Sequence, residues 1–576
     1  MIEIVFFSYL SSVQVFIAGY LFYYFFLNKK IEPEQNIFEF GFFGLLLLSF
    51  VSIFLNFFIS ISKTVSDIIF IIPFILFFLF FFNKDIFKKI IIFSVPVALL
   101  FTLSISYDTI NRPDAGLYHL PYTSIINESK VIVGVNNLHF RFGHTSIIQY
   151  LSALYNNHLF LDRGILIPLG LIYCHALGYL IFELFNKKNK ELIIIFFTLF
   201  SFSIFTMNRY GGFGNDAPAH FLFFYLVCES LKNTDIIYKI KKTALISTFV
   251  FLNKVTLLFC FFFPVYFIIK NFKLSNIFNK ANIFCLLFLS LFLFKNFLVS
   301  GCLVFPAEQT CIKKAFWYDS GSKRGSNAIN TRLENEAWTK AWVDQRGSRK
   351  DFKNYLSDYG WVDVWSGSHG KLIVKRTIPF LIFIFLIIFA FSIYQFKNEN
   401  SEKKYKINSL LNRYVFFFIC ISGSVLWFFK FPVFRYGYSY LASAFGLFLL
   451  ITLGNFNFFK SQEKFKKIIT ALVALLLLAI VTKNTMRIYP KLIAKKNDSQ
   501  SPWPNIYSEN KNSQKIDNIS LYKNGQFLFY KSKDGTCHYN RGPCTHYFNA
   551  NDGSLDEINL KTFHGYKIFY FKKNRR

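Results

Sequence analysis

Acidic residues are scarce: 33 Asp and Glu stand against 64 Lys and Arg in 576 residues, and charged side chains make up only 17%. A soluble protein of this length carries roughly a quarter charged residues, so a set of about four water-soluble domains is excluded. No basic leader or small-residue cleavage site accompanies the first apolar block, so no cleavable signal peptide is expected. Cysteine pairs with the two-residue spacing of a zinc knuckle are missing, as is any GK[ST] phosphate loop; those absences argue against a zinc finger and a nucleotide cradle. There is no heptad seam and no internal repeat.

Apolar residues are abundant instead: 53% of the chain is hydrophobic, 80 residues are Phe, and the mean hydropathy is +0.36. They fall into blocks of about 17–25 residues, the length that crosses a ~30 Å hydrocarbon layer. The pattern predicts an all-α polytopic membrane protein with about fourteen crossings. These lie near 4–27, 38–60, 66–82, 88–106, 163–185, 191–207, 217–232, a broken pair across 243–270, 282–299, 377–396, 412–430, 438–456 and 467–482. The pair requires a break near Asn253-Lys254, and a broken helix is tolerated only where it lines a cavity.

The net charge of +31 raises the question of a nucleic-acid partner, but such proteins gather their cations on one folded face. Here the cations occupy short runs between apolar blocks, such as Lys29/Lys30, Lys88/Lys89, Lys187/Lys188, Lys239/Lys241/Lys242 and Lys403/Lys404. That is the positive-inside arrangement, so the basic side is expected to be cytoplasmic and no nucleic acid is expected. Segments near 107–160, 300–376 and 483–576 then fall outside. The last is expected to be a small α+β or β-rich extracytoplasmic domain, with a two-residue hairpin at Asn524-Gly525. Cys302 with Cys311 and Cys537 with Cys544 lie in these outer segments, where disulfides are the expected state.

The outer segments concentrate the chemistry. Asp114 lies in a first helical turn after Asn111 and Pro113, with Tyr118 four residues on and His119 beside it. An ionised carboxylate with a phenol and an imidazole suits a general base acting on a hydroxyl; alternatively, Asp114 only stabilises a helix start. His139, Arg141 and His144 surround one glycine in a segment suited to phosphate or sugar hydroxyls. Their spacing fits no standard metal-ligand set. Asp216, in the turn N-R-Y-G-G-F-G-N-D-A-P-A-H (208–220), either caps a helix or faces the cavity of Asp114. Lys254 and Arg435 are cations at membrane boundaries, functional candidates by default unless they snorkel to the interface. Tryptophans four apart at 338/342 and 361/365 suit a membrane surface or sugar stacking. Sequons start at Asn127, Asn497 and Asn518.

The stretch P-D-A-G-L-Y-H-L-P followed by G-V-N-N-L-H-F-R-F-G-H-T-S resembles the GT-C class of integral-membrane glycosyltransferases. The N-R-Y-G-G-F-G-N-D-A-P turn and G-C-L-V-F-P…C also look like uncharacterised bacterial members of that class. The resemblance covers about a tenth of the chain. It departs from the class in lacking an adjacent Asp-Glu pair and an Asp-x-Asp, and in having four spans before the loop. It implies a catalytic module over 88–299 after N-terminal helices 1–87, with a large outer loop 300–376, C-terminal helices 377–482 and an outer domain 483–576. The implied activity is inverting transfer of a sugar from a polyprenyl-phosphate donor in the membrane lipid to a glycan, lipid or protein acceptor, outside a bacterial inner membrane. Asp114 would be the general base; the resemblance leaves open whether Asp108 or Asp216 shares the role. Tyr118, His119, His139, Arg141, His144, Asp216, Lys254 and Arg435 would bind substrate. No metal or other cofactor is indicated. The competing readings are an envelope-polysaccharide polymerase or ligase using Arg332, Arg346 and Arg349, and a lipid-linked-sugar transporter, for which paired broken helices would be needed.

Overall fold

The computed structural model describes residues 1–27, 35–108, 114–186, 191–207, 213–319, 327–342, 351–357, 359–396, 407–453, 462–493, 501–507, 519–524, 527–532, 536–545 and 558–571. Asn111, Pro113, Arg209, Arg346, Arg349, Asn497, Asn518 and the basic runs at 29–30, 187–188 and 403–404 lie outside the described residues. The chain is dominated by helices. In order they are α1 (Ile2–Phe26), α2 (Phe38–Asn56), α3 (Lys63–Phe80), α4 (Lys84–Ile105), α5 (Leu120–Glu128), α6 (Ile147–Leu154) and α7 (Ile167–Phe185). Next come α8 (Ile193–Thr206), α9 (Asp216–Leu231), α10 (Ile236–Asn253), α11 (Phe262–Lys270), α12 (Leu274–Ile277) and α13 (Lys280–Ser300). The rest are α14 (Ala328–Thr339), α15 (Phe352–Tyr355), α16 (Trp361–Trp365), α17 (Lys371–Phe396), α18 (Ile407–Lys430), α19 (Phe434–Leu453) and α20 (Gln462–Ile493).

Among the described residues, ten helices are long and apolar enough to cross a membrane. They match ten of the fourteen expected crossings. The other four correspond to α8 with 14 residues, α9 with 16, α10, and the segment Val255–Lys270. These helices are shorter or carry charge; α10 holds Lys239, Lys241 and Lys242 in its first two turns. The break expected at Asn253-Lys254 is present: α10 ends at Asn253, Lys254 is extended, and a 3-10 segment leads into α11.

The helices divide into a centre and a rim. In α1, α2 and α7 at least 72% of the most apolar window is buried, against 11% for the Trp361–Phe389 stretch. Side chains that bury on all sides pack helix on helix, whereas rim helices leave Phe, Leu and Ile facing outwards. The α1–α2 crossing depends on glycine. A Cβ on Gly19 would stand 1.7 Å from the Phe40 carbonyl oxygen, and one on Gly44 would stand 2.0 Å from that of Val15. Small residues let helix backbones approach this closely.

Both expected disulfides are present, Cys302–Cys311 and Cys537–Cys544. Strands β1 (Ile519–Asn524) and β2 (Phe527–Ser532) pair antiparallel, with Asn524 opposite Phe527, and β3 (Cys544–Thr545) adds to β2 in parallel. The hairpin is therefore one residue further along than Asn524-Gly525 implies, because Asn524 still belongs to the ladder. A second pair, β4 (Ile558–Phe563) and β5 (Tyr566–Phe571), is antiparallel. These pieces do not stand apart: Trp503, Ile506, Phe529, Ile558 and Phe569 join the same apolar core as the helices. Trp361 and Trp365 pack on the α18–α19 junction, Trp365 Nε1 donating to the Pro432 carbonyl at 2.6 Å. The Asn127 amide donates to the Ile61 and Ala153 carbonyls at 2.7 and 2.8 Å, so this sequon serves as a loop tie.

Candidate functional site

Four ionisable residues predicted separately converge where α9 and α19 begin and α10 ends. Asp114 precedes a π turn, Ala115–His119, that runs into α5. Asp216 opens α9, where a carboxylate complements the helix dipole. Lys254 follows the last residue of α10; its extended backbone releases the side chain from the helix. Arg435 lies in the first turn of α19.

The Arg435 guanidinium bridges both acids: Nη2 donates to Asp114 Oδ2 at 3.0 Å, and Nε stands 3.5 Å from Asp216 Oδ2. The Lys254 ammonium donates to Asp216 Oδ1. The Tyr436 ring lies under both cations, 3.7 Å from Lys254 Nζ and 5.3 Å from the guanidinium carbon. Two carboxylates thus meet two cations, and Asp114 and Arg435 keep 27% and 28% of their side-chain surface exposed. A balanced, partly open ion-pair chain can exchange partners with an incoming anion. A fully buried one cannot do so without a large desolvation cost.

Neighbouring residues hold the frame. His220, one turn into α9, donates through Nε2 to the Arg435 carbonyl at 2.6 Å and meets the Ser439 hydroxyl through Nδ1. Asn215 donates to the Asn253 carbonyl at 2.9 Å, capping the broken end of α10.

His119 is buried beside this cluster, its ring 4.1 Å from that of Tyr118. Its tautomer follows from a capping box. Ser146 caps α6, and its backbone N–H donates to Gln149 Oε1 at 2.9 Å. Gln149 therefore presents Nε2 to His119 Nδ1 at 3.1 Å; an amide nitrogen donates, so Nδ1 accepts and the ring proton sits on Nε2. Burial lowers His119 to about 4; Asp114 and Asp216 oppose that shift, and Arg435 and Arg141 add to it. The imidazole is thus neutral at pH 7, and its Nε2–H meets no acceptor among the described residues. Burial, with help from Asp114, raises the Tyr118 phenol well above its usual range, so it too stays protonated.

The remaining predicted residues divide. Arg141 reaches towards the cluster, 5.5 Å from the Tyr118 ring. His139 caps its own turn, Nδ1 accepting from the Arg141 N–H at 3.1 Å. His144 packs against Phe305 and lies 3.3 Å from the Asn335 amide; burial lowers it to about 3. His144 thus ties the loop to the segment after α13. Asp108 pairs with Arg487 of α20 at 3.2 Å, and Arg332 lies 4.0 Å from Glu336 on its own helix.

Sequence reasoning missed His220, Tyr436 and Gln149, although the Ser146-x-x-Gln149 spacing is a readable capping signal. It also missed the C-terminal segment, which docks on the π turn. The backbone N–H groups of Cys537 and His538 both donate to the Gly116 carbonyl, at 3.0 and 2.8 Å. A Cβ on Gly116 would stand 2.6 Å from the His538 ring, so only glycine fits there. A groove of about 670 Å³ runs along α20 from Leu475 to Arg487 and does not touch these residues.

The family whose profile matches is described as "Domain of unknown function (DUF8201)", over residues 1–442, more than half of the chain. The chain belongs to that family. The DUF8201 region contains Asp114, Asp216, Lys254 and Arg435, and it stops short of α20 and the five strands. Neither a curated protein nor a solved structure matches the chain.

Proposed function

We propose that this DUF8201 protein is an inverting membrane glycosyltransferase that uses a polyprenyl-phosphate-linked sugar. The observation that carries the reading is the Arg435 guanidinium bridging Asp114 and Asp216, with Lys254 on the second acid. The donor phosphodiester takes Arg435 and Lys254 from the carboxylates and thereby frees Asp114. Asp114 removes the proton of an acceptor hydroxyl; the new oxygen–carbon bond forms at the anomeric centre as the bond to phosphate breaks. The electron pair leaves with the polyprenyl phosphate, whose added negative charge the two cations stabilise, the electrostatic term that usually dominates. His119 Nε2–H donates to a neutral oxygen of the sugar or acceptor, a role a charged imidazolium would fill less selectively.

In this reading all fourteen apolar segments cross a bacterial inner membrane and the cluster faces outwards. The test is transfer from a polyprenyl-phosphate sugar in isolated membranes. Asp114→Asn is expected to abolish transfer while leaving the protein folded; full activity in that variant overturns the base. Cysteine labelling that places residues 114–160 in the cytoplasm overturns the orientation.

A further inference from the structure

The turn that carries Asp114 is completed by a segment far along the chain, and a proline is the reason. In an unbroken α-helix the Gly116 carbonyl would accept from the Leu120 N–H, four residues on. Here the Leu120 N–H donates to Ala115 instead, the five-residue reach of a π turn. The next N–H along, which would serve Gly116 in that register, belongs to Pro121 and does not exist. Gly116 is buried, and a buried carbonyl left without a donor is destabilising.

Residues 536–545 provide the donor. Cys537 and Cys544 close a loop, and both are at most 1% exposed. The Cys537 and His538 N–H groups donate to the Gly116 carbonyl at 3.0 and 2.8 Å. The same loop then follows one face of α5. Ser124 donates to the Asn540 carbonyl, and the Gly542 N–H donates to Glu128 Oε2 at 2.9 Å. A Cβ on Gly542 would stand 3.1 Å from the Ile125 side chain. Tyr539 anchors the middle: its hydroxyl donates to Asn127 Oδ1 at 3.1 Å and accepts from the Asn156 amide at 2.5 Å. The loop lies beyond residue 442, where the family match ends.

We propose that the Cys537–Cys544 loop is a positioning element for the Asp114 site: its two N–H groups hold residues 115–119 in the π register. Without the loop, the Leu120 N–H returns to Gly116 and the turn becomes α-helical. Residues up to 119 then rotate against α5 by about 100°, the angle one residue turns in an α-helix. In the π register Asp114 meets Arg435 at 3.0 Å, and His119 Nδ1 meets the Gln149 amide at 3.1 Å. The rotation breaks both contacts. The placement of Asp114 stands on this geometry; only its effect on rate rests on the transferase reading.

The test traps Asp114 beside Arg435. Asp114→Cys with Arg435→Cys is made in the full chain in lipid discs, where the five free cysteines are buried, and a short bifunctional thiol reagent links the pair. With the loop closed the link forms; its absence overturns the proposal. Cys537→Ser with Cys544→Ser is expected to slow linkage by roughly 10–30-fold, the shift that two net hydrogen bonds produce in a two-state equilibrium. Gly116→Ala keeps the disulfide but sets a Cβ 2.6 Å from the His538 ring, so it slows linkage too and serves if the serine pair does not fold. An unchanged rate in either folded variant overturns the proposal. Pro121→Ala returns the missing N–H and is expected to remove most of the dependence on the loop. A loop that only braces the fold slows linkage equally in both backgrounds, and that result overturns the proposal. In the transfer assay, opening the loop is expected to lower kcat by a similar factor with the donor KM unchanged, because Lys254 and Arg435 stand on other helices. If the unmodified protein transfers no sugar, the transferase reading fails and linkage alone decides the role of the loop.

Discussion

The α9–α10 hairpin carries an ion pair at each end: Asp216 with Lys254 at one, and Glu229 with Lys242 at the other. Asp216 and Glu229 are thirteen residues apart on one helix, or roughly 20 Å at 1.5 Å per residue. The Asp114 end sets two acids against two cations among the described residues and is partly open. The Glu229 end is sealed. Exposure lets a ligand compete for the cations; burial requires the protein itself to meet every charge. The same residue types therefore do different work at the two ends.

Breaking one charge at each end separates these roles. Asp114→Asn should lower transfer by on the order of 10²–10⁴-fold with little change in melting temperature, because the side chain is partly solvated. Lys242→Met should do the reverse. It takes the shared ammonium from Glu39 and Glu229, costs about 3–5 kcal/mol of stability, and is read by thermal or denaturant unfolding. Gly116→Ala should cost about 1–3 kcal/mol through overpacking against His538, seen as faster proteolysis of the C-terminal segment. The smallest effect is a predicted invariance. With His119 lowered to about 4, activity should show no inflection near pH 6.5, where an ordinary histidine titrates. The neutral imidazole is lost only as pH falls through about 4, where activity should decline; its contribution to stability falls earlier, from about pH 6.5, where the unfolded chain's imidazole takes up a proton, down to about 4. An inflection at the ordinary value removes the neutral-donor role.

Much of the Asp114 site was legible, because scarcity made it so. Ionisable residues are few on the side expected to face outwards, and Asp114, Asp216, Lys254 and Arg435 stand out against apolar flanks. The break at Asn253-Lys254 followed from the need to alternate sides. The Glu229 cluster, with Glu39, Glu183, Lys232 and Lys242, was not legible, because its lysines read as topology markers and its acids as isolated span ends. Lys242 and Glu39 are 203 positions apart, and no spacing rule connects residues that far apart. A signal was nevertheless present: Glu39, Glu183 and Glu229 are acids on the side where cations dominate. The local roles of His139 and His144 were not legible either, since an imidazole that caps a turn, as His139 does, and one that packs on a distant segment, as His144 does, look alike in sequence.

By itself the sequence determined the helical class, the lengths of ten candidate spans, the two disulfide pairs and the short list of outer ionisable groups. Each follows from local chemistry: apolar run length, cysteine proximity and charge scarcity. Only the tertiary structure decided that Arg435 sits between two acids more than 200 residues away from it, and that a third acid joins two lysines at the other end. It also decided that the chain's last segments rest on Gly116. Counter-ions are chosen by packing, and packing brings together residues whose order along the chain carries no record of the contact.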